Sequence, residues 1–149
     1  MDYSEVMRKV NHLASDLDSL YHQASLKLGL SDSVLFLMYV LYERNGSCPI
    51  KDICEETSIC KQTINSAIRK LEKEDIIYLK QNGGRNKTVC FTEKGKEYAQ
   101  STVGRLFKAE SGTLMGWSEE EIEQYLYLTE KYNKDFREQI NKLYSSEEE

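Results

Sequence analysis

The chain has 149 residues, 40% of them hydrophobic, and a formal charge of −5. That length suits a single domain with its own core, and no apolar run approaches the ~18 residues of a membrane-spanning helix. The opening Met-Asp-Tyr-Ser-Glu shows no basic region leading into an apolar stretch, so a cytoplasmic protein without membrane association is expected. The four cysteines (48, 54, 60 and 90) form no C-x-x-C pair, and their apolar neighbours suit small buried hydrophobes. The two histidines, His12 and His22, stand ten residues apart on one helical segment. No metal or other cofactor is expected. With neither a glycine-rich phosphate loop nor a nucleophile–His–Asp pattern, the chain does not read as an enzyme.

In chain order, Val6, Val10, Leu13, Leu17, Leu20 and Ala24 alternate steps of four and three, which predicts a helix to about Leu28 ended by Gly29. Its apolar seam suits packing on its own core or an intersubunit contact. Ser31 is the candidate N-cap of a second helix through Glu43, closed by Asn45-Gly46. The run Val34 to Tyr42 is apolar nearly all round, as a central buried helix would be. Pro49 is expected at the first position of a short third helix, with Ile50, Ile53 and Cys54 inward. A fourth helix, from about Cys60 to Glu74, places Ile64, Ala67, Ile68 and Leu71 on one stripe.

Two strands follow, 76–80 and 88–91, joined by a polar loop whose Gly83-Gly84 pair supplies the positive φ of a hairpin turn. Thr92 is expected to cap one long helix reaching about Leu114, broken at Gly116-Trp117. Ser118 and Glu121 have the spacing of a capping box. They open a last helix with the stripe Ile122, Leu126, Thr129, Tyr132, Phe136, Ile140 and Leu143, followed by a frayed acidic tail, Glu147 to Glu149.

The acidic total conceals a basic middle. Residues 58–96 hold nine Lys/Arg against four Asp/Glu, while the remainder is strongly acidic. Two helices joined by a tight turn, the second with a polar and basic outer face, describe a helix-turn-helix, and the hairpin behind it is a wing. On the fourth helix Lys61, Gln62, Thr63, Asn65, Ser66 and Arg69 are the candidates to meet base edges or phosphates. Asn and Gln bond bidentately to adenine and Arg to guanine in the major groove. In the wing, Arg85 suits the narrow minor groove, and Asn86 and Lys87 the flanking phosphates. Taken alone, the same helix face also fits an ordinary solvated surface.

The order of these elements resembles that of the MarR (multiple-antibiotic-resistance regulator) family. Ser58 to Asp75 looks like the family's recognition helix, and Phe91-Thr-Glu-Lys-Gly is similar to its motif after the wing. The resemblance implies a mainly α fold with a small β-hairpin wing (α+β), a single MarR-like domain over 1–149. It divides into a winged helix-turn-helix lobe at 31–98 and a helical dimerisation lobe at 1–30 and 99–146. It further implies a homodimer that binds a pseudo-palindromic operator in double-stranded DNA, a repressor released by a small ligand. Tyr21, Phe36 and Tyr39 are candidates to line a pocket for an apolar or phenolic effector, although core packing explains each equally well.

The family's wing carries Asp-x-Arg, whereas this chain has Gly83-Gly84-Arg85, so Arg85 lacks the aspartate that preorganises it or is held by another residue. The glycine usual after the recognition helix is replaced by Asp75, another residue that tolerates left-handed geometry. Two alternatives stay open at the level of sequence. One is a winged-helix protein–protein module that does not bind DNA. The other is a thiol-based redox regulator using Cys60, whose place at a helix N-terminus favours the thiolate.

Overall fold

A computed structural model describes residues 1–145; the acidic tail at 147–149 lies outside the described residues. The elements run α1 (Tyr3–Leu28), α2 (Asp32–Glu43), β1 (Ser47–Pro49), α3 (Ile50–Thr57), α4 (Lys61–Lys73), β2 (Ile77–Gln81), β3 (Lys87–Phe91), α5 (Glu93–Ser101), α6 (Val103–Leu114) and α7 (Glu119–Ser145). The mainly α architecture with a small antiparallel sheet is as the sequence predicts. Two compact units emerge, Met1–Lys108 and a second beginning at Ala109.

The first unit is organised around α2. Leu35, Leu37, Met38 and Leu41 are fully buried, and side chains of this size each stabilise the fold by roughly 1.5–3 kcal/mol on burial. Ser31 caps α2 by accepting from the Val34 amide at 3.3 Å. The stripe of Ile64, Ala67, Ile68 and Leu71 buries α4 in the same core. That fixes which face of α4 turns to solvent.

The sheet has the order β1-β3-β2, with β3 paired antiparallel on both sides. Strand β1 went unread because three residues are too few to show an alternation. It corrects the expectation for Pro49, which ends that strand and stands as the N-cap of α3 at φ −59°, ψ 141° rather than inside the helix. A proline suits an edge strand, since it has no N–H to leave unpaired.

The long helix expected from Thr92 to Leu114 is two helices. At Thr102 the backbone turns to φ −120°, ψ −93°. The hydroxyls of Ser101 and Thr102 both donate back to the Tyr98 carbonyl, at 3.0 and 2.7 Å, which competes with the helical ladder. The break lets Val103 bury fully and brings Gly104 against Tyr42, where a Cβ would meet the phenol oxygen at 3.2 Å.

Among the described residues, apolar faces remain exposed in each unit. On α1 the predicted seam leaves Leu13 66% and Leu17 48% exposed. On α7, Leu126, Tyr132, Phe136 and Ile140 face solvent, with Tyr132 stacked on Phe136 at 5.8 Å. The α7 capping box forms as expected: Ser118 N donates to Glu121 Oε2 at 2.8 Å, and Glu121 N to Ser118 Oγ at 3.1 Å. No single helix among the described residues is long and apolar enough to cross a membrane.

Candidate nucleic-acid interface

The turn between α3 and α4 is made by Ser58, whose left-handed φ of 55° lets Ser58 N donate to the Cys54 carbonyl at 3.1 Å and end α3. Helix α3 is tied to α2 by Arg44, which pairs with Asp52 at 3.2 Å and with Glu56. With its apolar stripe buried, α4 exposes Lys61, Gln62, Thr63, Ser66 and Arg69, and Asn65 is partly exposed.

The C-terminus of α4 closes in a Schellman motif: Ile76 N donates to Leu71 O at 2.9 Å and Asp75 N to Glu72 O at 3.0 Å. Asp75 takes the left-handed conformation at φ 59°, as its place in the sequence suggests. The chain then enters the wing directly, so the spacing of wing and helix is set by a turn of fixed geometry.

Between α4 and the wing lies a cleft of about 880 Å³. Lys61, Asn65 and Arg69 line one side, and Arg85, Asn86 and Lys87 the other. The structure therefore brings together six of the predicted DNA contacts. Gln62, Thr63 and Ser66 lie on the exposed face of the same helix, outside the cleft lining. Lys51 adds a cation from α3. Three carboxylates, Asp52, Glu55 and Glu72, also reach the cleft, against five cations, so its balance stays positive. One of the three, Asp52, is already engaged by Arg44.

The wing tip shows what replaces the missing aspartate. Gln81 Nε2 donates to the Gly84 carbonyl at 2.9 Å, and Asn82 N to the Asn86 carbonyl at 3.2 Å. The Asn82 side chain also bonds Thr88 Oγ1. Gly83 and Gly84 supply positive φ of 84° and 62°. The turn that carries Arg85 is thus pinned through its backbone, while the guanidinium itself has no hydrogen bond or ion pair among the described residues. In the sequence Gln81 and Asn82 carry no signal beyond that of polar loop residues, because their partners lie across the hairpin.

The remaining candidates separate. Cys60 is exposed at the N-cap of α4, and the Thr63 hydroxyl 3.0 Å from its sulfur holds the thiol below its ordinary pKa. Burial instead pushes the Cys48 thiol up to about 11. Tyr21 packs on Phe36 with centroids 6.0 Å apart, and Tyr39 on Phe107 at 6.3 Å. A separate cavity of about 580 Å³ is lined by Tyr42, Phe91 and Phe107, together with Lys96, Ala99 and Gln100 of α5. Among the described residues no cluster of His, Cys, Asp and Glu is arranged to hold a metal ion.

Residues 38–78, from α2 to the start of the wing, match the winged helix-turn-helix DNA-binding family model. A MarR-family transcriptional regulator from Rhodococcus sp. RHA1 superimposes with a TM-score of 0.67 at 13% identity, over 89% of this chain and 94% of that one. The S. aureus MepR–DNA complex gives 0.65 at 21% identity, over 91% and 98%. The chain therefore has the winged helix-turn-helix fold seen in MarR-type structures. It is also 29% identical over 98 residues to an uncharacterized HTH-type transcriptional regulator of Bacillus subtilis, YwhA, covering 64% of this chain and 70% of that protein. At these identities the superpositions establish the MarR-type fold, as the order of elements suggests.

Proposed function

We propose that this MarR-type protein is a homodimeric, sequence-specific DNA-binding transcriptional regulator, acting as a repressor that a small ligand releases. The observation that carries the DNA reading is the single cleft in which Lys61, Asn65 and Arg69 of the recognition helix face Arg85, Asn86 and Lys87 of the wing. A helix in the major groove with a hairpin reaching the flanking minor groove divides base readout from backbone positioning in this way. A relative of the same fold, MepR, is solved with DNA.

Dimerisation is supported by the apolar seams left exposed on α1 and α7, of a kind that monomers rarely leave uncovered. Two heads on one symmetric dimer read two half-sites, so the operator is a pseudo-palindrome. For the effector, the cavity beside α5 fits an apolar or phenolic molecule: three aromatic rings offer stacking surface and Gln100 and Lys96 polar contacts. Tyr39 contributes by packing on Phe107 in its wall.

Selection of duplexes from a random pool by the purified protein, followed by gel-shift titration, tests the DNA reading. Enrichment of a pseudo-palindrome is expected, with affinity lowered by Arg69→Ala and by Arg85→Ala in a dimer that remains folded. No enrichment, or unchanged affinity for both variants, would exclude it.

A further inference from the structure

We propose that Lys94 is a positioning residue for DNA binding, which holds the recognition helix at its C-terminal end without touching DNA. The inference rests on the DNA-binding reading above. Three successive carbonyls leave the end of α4, those of Glu74, Asp75 and Ile76, and each is taken by the segment that opens α5. Lys94 Nζ donates to Glu74 O at 2.9 Å. Thr92 Oγ1 donates to Asp75 O at 2.6 Å. Thr92 N donates to Ile76 O at 3.0 Å. The last carbonyls of a helix carry the negative end of its dipole, and an ammonium is the cation that complements it.

In the basic middle of the chain, Lys94 would count from sequence as one more phosphate-binding lysine. Its geometry assigns it otherwise. It is absent from the cleft that gathers Lys61, Arg69, Arg85 and Lys87, and its ammonium is engaged with the protein's own backbone. The leverage follows from length. A helix of 13 residues is roughly 20 Å long, so a tilt of about 10° at its base moves the far end by roughly 3 Å. Such a shift exceeds what a hydrogen bond to a base edge tolerates. Lys94 and Thr92 also begin the helix whose next turns, through Lys96, Ala99 and Gln100, wall the aromatic cavity. The same clamp therefore joins the cavity wall to the recognition helix.

The test measures binding of the selected duplex by the full-length wild type, Lys94→Met and Lys94→Arg across a range of salt. Lys94→Met should weaken binding roughly tenfold, less than the loss of the stronger base contacts, with the slope of log affinity against log salt unchanged. Lys94→Arg should retain near-wild-type affinity. A phosphate contact would behave differently, lowering the slope by about one. The proposal is overturned if Lys94→Met binds as wild type, if its slope falls by about one, or if Lys94→Arg fails to rescue. Failure of the wild type to bind any duplex would instead remove the DNA reading, and this inference with it.

Discussion

Gly95 lies against the carbonyl of Ile76 so closely that a Cβ on it would meet the oxygen at 1.9 Å. The obstacle is backbone, not a flexible side chain, so nothing local can yield. This contact gives the Thr-Glu-Lys-Gly stretch its physical meaning: Thr92 caps α5 by accepting from Gly95 N at 2.9 Å while donating to the end of α4, and the glycine permits the approach. Gly95→Ala should therefore lower stability by roughly 3 kcal/mol or more, the upper range for forcing atoms into a packed site. Urea titration checks this; a midpoint equal to wild type would contradict the packing described.

The wing yields a second expectation. Gln81 holds the Gly84 carbonyl and so the turn that aims Arg85. Gln81→Ala should weaken DNA binding by less than Arg85→Ala does and keep the salt slope of wild type, because no phosphate contact is lost. Arg85→Ala should lower the affinity further. A larger loss for Gln81→Ala than for Arg85→Ala, or a lowered salt slope, would mean that Gln81 itself contacts DNA.

The thiols should differ in reactivity. Cys60 is exposed and its thiol is lowered by the Thr63 hydroxyl, whereas Cys48 is buried and raised to about 11. A lowered pKa means more thiolate at a given pH, so iodoacetamide at mildly alkaline pH should label Cys60 well before Cys48. Thr63→Val should move the pH profile of Cys60 labelling upward. A profile that stays in place would show that the hydroxyl does not stabilise the thiolate.

The exposed seam on α1 leads to a prediction about assembly. Leu13 and Leu17 are exposed at the middle of the apolar seam of α1, with Val6 and Leu20 exposed on either side. Leu13→Glu with Leu17→Glu should shift sedimentation from dimer toward monomer while circular dichroism stays helical. A wild-type protein that sediments as a monomer at micromolar concentration would contradict the dimer outright.

Much of the fold is legible because its signals are local. The stripe of Ile64, Ala67, Ile68 and Leu71 and the Gly83-Gly84 turn in the head, and the Ser118–Glu121 capping box of α7, each act within a few residues and are present in the structure. What escaped depends on partners distant in sequence. Strand β1 exists only because Cys48 pairs with Val89, some forty residues on. The break at Thr102 answers to Tyr42 packing on Gly104 as well as to its own hydroxyl. Lys94 reads as a surface charge until Glu74, twenty residues earlier, is placed beside it. The aromatic residues show the same limit: the resemblance groups Tyr21, Phe36 and Tyr39, but in the fold Tyr21 and Phe36 pack on each other while Tyr39 packs on Phe107.

If DNA lies in the cleft between α4 and the wing, hydrogen exchange of the full-length protein, with and without the selected duplex, will locate it there. Protection is predicted in the amides of residues 58–69 and 81–88, with little change along α7. Protection absent from both segments, or concentrated in α7, would place the DNA outside this cleft.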